Sequence, residues 1–199
     1  MGRIIAVANQ KGGVGKTTTV INLAAYLADS GKRVLAVDID PQGNTTTGLG
    51  IEKHTVDASI YDVLLEGQPL MEALVPTDVV GLHLVPATMD LAGAEVDLSK
   101  ADHREMRLKA ALTIVKERYD YIFIDCPPSL GLLTVNALSI STMLSFTTVL
   151  LDFLPFSWNR LCISLPVSSL SKVLVVETVT RRYDRSFTGR SLWTISLHP

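Results

Sequence analysis

The chain reads Lys11-Gly12-Gly13-Val14-Gly15-Lys16-Thr17-Thr18 directly after an almost continuous apolar run, residues 3–9. Such a run predicts a buried strand. Apolar residues then recur at helical spacing from residue 20 to residue 27, and Gly31 stands where a helix C-cap is expected. A glycine-rich turn between a strand and a helix is the setting of a phosphate-binding loop. We therefore predict that residues 11–18 bind nucleotide phosphates.

The residue types in this loop suit that chemistry. Glycines let backbone amides point into one concavity, where side chains would block a phosphate. The start of the following helix adds roughly half a positive charge. Lys16 can reach the terminal phosphates, the Thr17 hydroxyl is placed to ligate magnesium, and Thr18 is placed to donate to a phosphate oxygen. The loop thus predicts a bound nucleotide with Mg²⁺, and an ordinary glycine-rich turn is the alternative interpretation.

Two further predicted strands end in carboxylates. Residues 33–38 end in Asp38, and strand alternation would place Asp40 on the same side as Asp38. Residues 120–125 end in Asp125, which we predict to hold magnesium through water. Since ligands bind at the carboxyl ends of parallel strands, these groups are expected near the phosphate loop, with Asp38 as a further metal candidate. The alternative role for Asp40 is that of a cap before a proline.

The order of predicted elements indicates an α/β fold of the P-loop NTPase type, with a mostly parallel sheet flanked by helices. Residues 41–50 are typical of a loop, and residues 82–85 predict another strand. Short helices are predicted at residues 59–66 and 69–75. An amphipathic helix is predicted at residues 102–118, with these inward positions: Met106, Leu108, Leu112 and Val115.

Composition narrows the class of protein. The 199 residues include 47% hydrophobic residues, enough for a buried core and too many for wholesale disorder. A net charge of -2 excludes a globally basic nucleic-acid binder. Two cysteines, Cys126 and Cys162, form no disulfide framework, so a reducing compartment is expected. Because no stretch reaches about 18 apolar residues, we expect no membrane span and a cytoplasmic location.

The phosphate loop departs from the usual G-x-x-x-x-G-K-[ST] pattern. Gln10 stands at its first glycine position, and Lys11 precedes the double glycine. In this it resembles the deviant Walker A motif of the ParA/MinD superfamily of ATPases. There the lysine that matches Lys11 reaches across a nucleotide-sandwich dimer to the partner's phosphates. The resemblance implies catalytic roles for Lys11, Lys16 and Asp40, with Asp40 positioning the attacking water in switch I and Asp125 beginning switch II.

Three longer segments resemble the ParA/Soj branch of that superfamily: residues 40–50, 84–95 and 127–138. This resemblance implies a magnesium-dependent ATPase of chromosome or plasmid partitioning. It also implies an ATP-bound homodimer that binds DNA without sequence preference, a ParB/Spo0J-type partner and association with the nucleoid. No membrane partner is expected. Two alternatives stay open: a MinD-like membrane-cycling ATPase, and a truncated, non-enzymatic relic that binds nucleotide.

The composition changes sharply near residue 139. Residues 1–138 contain 15 Ala and 4 Ser, whereas residues 139–199 contain no Ala and 11 Ser. We predict a nucleotide-binding core at 1–138 and a divergent tail at 139–199, arising from a domain boundary, a frameshift or a truncation. The tail contains a candidate strand at residues 173–180, and basic residues that suggest either a nucleic-acid contact or an unstructured end: Arg181, Arg182, Arg185 and Arg190.

The resemblance to the partitioning ATPases ends at residue 138. In that family the later part of the chain supplies further strands, the adenine pocket and basic residues that bind DNA. The tail matches none of these segments, so the sequence predicts a fold that is incomplete at its C-terminal end. A sheet without its last strands exposes an edge and apolar helix faces. We therefore expect intact motifs with weak or absent ATPase activity.

Overall fold

A computed structural model describes residues 2–146 and 173–174, with side chains for residues 2–142. The strands are β1 (Arg3–Ala8), β2 (Val34–Asp38), β3 (Val75–Pro76), β4 (Leu82–Val85), β5 (Tyr121–Asp125), β6 (Met143–Phe146) and β7 (Val173–Leu174). The α-helices are α1 (Lys16–Asp29), α2 (Asn44–Gly48), α3 (Ala94–Ser99), α4 (Arg107–Val115) and α5 (Leu132–Ile140).

The strands form one sheet in the order β3-β4-β2-β5-β1-β6-β7. Its neighbouring strands run parallel except for β3, which is antiparallel to β4. The predicted α/β fold with a mostly parallel sheet is confirmed. Parallel pairing puts the carboxyl ends of β1, β2 and β5 side by side, and these strands precede the three predicted site segments. Across the described residues, no helix is long and apolar enough to cross a membrane.

Alternation along the strands builds a core on each face of the sheet. Ile4 and Ala6 of β1 point to the face covered by α3, α4 and α5, where Leu112 is fully buried. Ile5 and Val7 point to the opposite face, where Val20 lies in the cluster that packs α1 against the sheet. With both faces covered, the strands must be apolar on both sides, as the sequence of β1 is.

The amphipathic helix predicted at 102–118 is shorter than expected. It spans Arg107–Val115, followed by a single 3₁₀ turn, Lys116–Arg118. His103 has a left-handed backbone with φ 51°, so the chain is not helical there. Met106 precedes the helix and is 48% exposed, which makes its predicted inward position wrong. The inward positions predicted for Leu108, Leu112 and Val115 are confirmed.

The remaining short elements differ in detail from their predictions. The strand predicted at 82–85 is confirmed, and the helix predicted at 59–66 contains a five-residue π-helical turn, Asp62–Glu66. No helix forms at 69–75, where a turn leads into the edge strand β3. The loop predicted at 41–50 contains the short helix α2.

Most of the predicted divergent tail, 139–199, lies outside the described residues. Its described parts are the end of α5, the strand β6 and the two residues of β7. The candidate strand 173–180 is therefore described only at Val173–Leu174. The cluster of basic residues from Arg181 to Arg190 lies outside the described residues.

Candidate functional site

The glycine-rich turn connects β1 to α1 and leaves the start of α1 open. Gly13 and Gly15 have φ of 71° and 84°, a left-handed conformation that side chains disfavour. A Cβ built at either position meets no atom within 4 Å, so the backbone conformation and not crowding requires glycine. No side chain caps the first turn of α1, and that turn holds no acidic residue. Uncapped amides and the helix dipole make this terminus suited to an anion.

The two lysines of the loop lie in different environments. Lys16, the first residue of α1, is only 7% exposed, and its charge acts on Asp125. Lys11 is exposed, and its backbone N–H donates to Asn9 Oδ1 at 2.9 Å. Thr18 is also exposed, at the outer side of the first turn. Lys16 therefore faces the interior of the site, whereas Lys11 and Thr18 lie at its surface.

Asp125, the last residue of β5, is fully buried and only half satisfied. Its Oδ2 accepts hydrogen bonds from Thr17 Oγ1 at 2.8 Å and from Thr45 Oγ1 at 2.7 Å. Its Oδ1 is buried with no hydrogen-bond partner. Burial raises the pKa of Asp125, and the two threonine hydroxyls lower it in part. A buried oxygen without a partner is unfavourable, so this atom is suited to a ligand outside the described side chains.

Asp38 lies beside Asp125, because the two are register partners across β2 and β5. Its Oδ2 accepts hydrogen bonds from the backbone N–H of Thr46 at 2.8 Å and from Thr46 Oγ1 at 2.7 Å. Its Oδ1 accepts from the backbone N–H of Asp40 at 3.2 Å. Burial, and then the charge of Asp125, raise the pKa of Asp38 to about 7. The geometry thus places two carboxylates together where burial disfavours their charge.

Asp40 completes the predicted set at this edge of the sheet. It is 7% exposed, and its Oδ1 accepts a hydrogen bond from the backbone N–H of Gln42 at 2.9 Å. Its charge also contributes to the raised pKa of Asp125. The hydrogen bond from Gln42 is the one expected if Asp40 only caps the turn. The proximity of Asp40 to Asp125 is what a role at the phosphates would need. The roles of the site residues stay predictions.

The residues fit a magnesium ion shared with a phosphate better than a site made of protein ligands alone. Within the described residues, no group of three or more His, Cys, Asp or Glu could hold a metal. Mg²⁺ usually takes one or two protein oxygens and completes its shell with water and substrate phosphates. Thr17 and the unpartnered Oδ1 of Asp125 meet that requirement, whereas both oxygens of Asp38 already accept hydrogen bonds.

Sequence reasoning missed Thr45 and Thr46, which reach Asp125 and Asp38. Both threonines are fully buried in α2, the segment predicted as a loop. Three consecutive threonines are poor helix formers, so periodicity and propensity pointed away from a helix. A run of hydroxyl groups a few residues after two carboxylates is the signal that would have indicated hydrogen bonds between them.

Comparison with known proteins agrees with this geometry. The family model described as "AAA domain" (AAA_31) matches residues 2–152. The Bacillus subtilis sporulation initiation inhibitor protein Soj is 60% identical over 141 residues, which are 71% of this chain and 56% of Soj. The Myxococcus xanthus chromosome partitioning protein ParA is 58% identical over 139 residues, 70% of this chain and 49% of ParA. The chain thus spans about half the length of these curated relatives.

A solved structure extends the comparison to the fold. Cobyrinic acid a,c-diamide synthase from Mycobacterium smegmatis, with bound ADP and magnesium, superposes with a TM-score of 0.72 at 47% identity. The superposition covers 74% of this chain and 60% of that one. The chain therefore belongs to the AAA domain family, and its matched segment is of the ParA/Soj type.

Proposed function

We propose that this chain binds ATP with Mg²⁺ and hydrolyses it, with the weak activity that the sequence predicts, as a ParA-like ATPase of chromosome or plasmid partitioning. The observation that carries the proposal is the unpartnered, buried Oδ1 of Asp125 beside a helix start with no side-chain cap. The carboxylate oxygen is suited to a cation and the uncapped helix start to an anion, and a magnesium nucleotide supplies both. The relatives named Soj and ParA support the process, and the magnesium–ADP complex of the M. smegmatis protein supports the ligand.

Each loop residue has a distinct part in the proposed binding mode. The backbone N–H groups of Gly12, Gly13, Val14 and Gly15 surround the phosphates together with the start of α1. Lys16 offsets the charge of the terminal phosphates, and the exposed Thr18 donates to a phosphate oxygen. Thr17 and Asp125 hold the magnesium, directly and through water, and the proposed part of Asp38 is in the outer shell. When bound, the ion would offset charge on the phosphate oxygens.

Two residues are proposed to act in hydrolysis itself. Asp40 orients the attacking water, since a carboxylate at this edge of the sheet can accept its hydrogen bond. Lys11 is exposed at the mouth of the loop, where a side chain is available to a second copy of the chain. A cation that reaches the phosphates only in a dimer makes dimerisation depend on ATP and stabilises charge in the transition state.

The partners are proposed at the level of the relatives' process. An ATP-bound homodimer would bind DNA without sequence preference, lie on the nucleoid, and respond to a ParB/Spo0J-type protein that stimulates hydrolysis. The names of the relatives support chromosome partitioning as the process. Because the chain spans about half of those relatives, the DNA and partner contacts are the part of the proposal that depends most on residues after 138.

Equilibrium binding of a fluorescent ADP to the purified chain, with and without Mg²⁺, tests the proposal. Wild type is expected to bind, and Lys16→Ala to weaken binding by at least about tenfold, because a charge-assisted contact worth about 1.5–3 kcal/mol is lost. Lys32→Ala, which removes an exposed lysine of the same size, is the matched control. Equal affinity of the wild type and the Lys16→Ala variant would contradict the proposed binding mode.

Hydrolysis separates the ATPase from the nucleotide-binding relic. Phosphate release from Mg-ATP should disappear in Lys16→Ala and in Asp40→Asn while the second variant still binds ADP. Lys11→Ala should retain binding and lose hydrolysis together with ATP-dependent dimerisation, which light scattering measures. Nucleotide binding without hydrolysis or dimerisation in wild type would favour the relic. ATP-dependent pelleting with lipid vesicles would instead favour the MinD-like alternative.

A further inference from the structure

The short helix α2 is attached to both buried carboxylates through threonine hydroxyls. Thr45 Oγ1 donates to Asp125 Oδ2 at 2.7 Å, and Thr46 Oγ1 donates to Asp38 Oδ2 at 2.7 Å. Both threonines have 0% exposure, so water does not compete for these contacts. Hydrogen bonds to a carboxylate are among the stronger ones in proteins. These hydrogen bonds stabilise α2, although threonine has a low helix propensity.

Thr46 also joins α2 to the segments around it. Its backbone N–H donates to Asp38 at 2.8 Å, and its Oγ1 accepts from the backbone N–H of Ala87 at 3.0 Å. Its carbonyl accepts from the backbone N–H of Ile51 at 3.1 Å. Lys53, two residues after Ile51, donates through Nζ to the carbonyl of Gln42. The position of residues 51–53 therefore depends on the position of α2, which depends on the carboxylates.

Thr17 and Thr45 share a single oxygen of Asp125. Both hydroxyls donate to Oδ2, which leaves Oδ1 available. Thr17 is also the residue proposed to ligate magnesium. Any change in the contact of Thr17 leaves Thr45 as the group that fixes the direction of the carboxylate. A carboxylate held by one oxygen presents the other in a constant direction, so Thr45 is placed to orient Oδ1.

We propose that Thr45 and Thr46 are positioning residues that connect the nucleotide site to α2 and to residues 51–53. Thr45 orients Asp125 for the magnesium, and Thr46 holds Asp38 against the backbone of α2. Binding of a magnesium nucleotide thereby stabilises α2 and residues 51–53 further, although neither threonine is assigned a direct contact with the nucleotide. The inference rests on the proposed function, since it concerns the same site.

The test compares Thr45→Val with Thr47→Val. Valine keeps the shape of threonine and removes the hydroxyl, and Thr47 offers a matched control because its Oγ1 contacts only the local carbonyls of Gly43 and Asn44. Binding of fluorescent ADP is titrated with Mg²⁺. We expect the apparent Mg²⁺ affinity to fall about tenfold in Thr45→Val, equivalent to about 1.4 kcal/mol. Binding without Mg²⁺ should change less than about twofold, and Thr47→Val should match wild type.

A merely structural role would not separate the Mg²⁺ affinity from binding without Mg²⁺, and hydrogen exchange adds a second readout that localises the effect. In wild type and Thr47→Val, magnesium and ADP together should slow the exchange of amides in residues 44–53. In Thr45→Val this protection should disappear while that of α1 persists. Thr45→Ser keeps the hydroxyl and should restore both the Mg²⁺ affinity and the protection.

The outcomes divide cleanly. The inference is overturned if Thr45→Val titrates with Mg²⁺ as Thr47→Val does and keeps its exchange protection. If Thr45→Val does not fold, Thr45→Ala is measured instead, because it leaves room for a water. A wild-type Mg²⁺ titration in Thr45→Ala overturns the inference equally, and a partial loss supports it. If the wild-type protein binds no ADP, the proposed function itself is refuted. If the wild type binds ADP normally and the variants behave as wild type does, only the inference about Thr45 is overturned.

Discussion

Replacing Asp38 with asparagine is expected to destabilise the protein at low pH and to stabilise it at high pH, relative to wild type. Burial and the charge of Asp125 raise the pKa of Asp38 from its ordinary 3.8 to about 7. Between those two values the folded protein binds a proton that the unfolded chain does not, so wild-type stability falls as pH rises through this interval. At about 1.4 kcal/mol for each pH unit, the charged form of Asp38 costs about 4 kcal/mol above pH 7.

Asparagine removes the charge and most of the pH dependence, at the expense of one contact. Its amide oxygen can accept both hydrogen bonds from Thr46, but its amino group then faces the backbone N–H of Asp40, which also donates. Two donors facing each other cost about 1–3 kcal/mol. The Asp38→Asn variant should therefore be less stable than wild type by about 1–3 kcal/mol at pH 4, and more stable by about 1–3 kcal/mol at pH 8.

Urea unfolding at pH 4 and pH 8, in buffer without divalent cations, measures this crossing. Asp78→Asn removes an exposed carboxylate and should give a pH dependence parallel to that of wild type. If the difference in unfolding free energy between wild type and Asp38→Asn changes by less than about 1 kcal/mol between the two pH values, burial of the Asp38 charge is not what limits stability there.

Three further outcomes follow from the packing and charge of the described residues. Leu112→Ala should lower the unfolding free energy by about 2–5 kcal/mol in urea titrations, because the side chain is fully buried between α4 and the sheet. Burial raises the pKa of the Cys126 thiol, so iodoacetamide should label this cysteine only on unfolding. Peptide mapping distinguishes it from Cys162, and rapid labelling under native conditions would contradict the burial. Arg33 lowers the pKa of Asp120 to about 2, so Arg33→Ala should reduce the unfolding temperature at pH 6, with a difference that shrinks as pH falls from about 4 toward 2; equal loss at pH 2 would point to lost packing instead.

The sequence predicted the elements whose signals are local and strong. The apolar strands, the glycine turn and the carboxylates that end β2 and β5 carry their own patterns, and parallel pairing alone was enough to bring Asp38 near Asp125. The helix predicted at 102–118 begins only at Arg107, where a long-range contact holds its first turn. Asn136 of α5 is fully buried, and its amino group donates to the carbonyl of Arg104 at 2.7 Å while its Oδ1 accepts from the backbone N–H of Leu108 at 3.1 Å. Local periodicity contains no signal for a hydrogen bond from a distant asparagine, so the start of α4 could not be predicted from it.

The candidate site shows the same division between local and distant signals. The glycine turn and Lys16 were predicted because the loop motif fixes their neighbours in sequence. The contact of Thr45 with Asp125 joins residues 80 positions apart, and nothing in the local pattern of α2 specifies it. Hydrogen bonds between buried side chains stabilised an element that propensity disfavours, so the missed residues are those that connect two motifs and not those within one.

The interior position of β1, between β5 and β6, has a consequence for synthesis on the ribosome. Arg3 of β1 pairs with Tyr121, and Ile5 pairs with Met143, so β1 leaves the ribosomal tunnel long before its two partner strands do. At about 5–20 residues per second, the interval is on the order of 10 s. During that time the loop that follows β1 has no strands beside it. The glycine-rich turn between β1 and α1 is thus flanked by its neighbouring strands only when translation has passed β6, and the apolar side chains of β1 stay exposed until then.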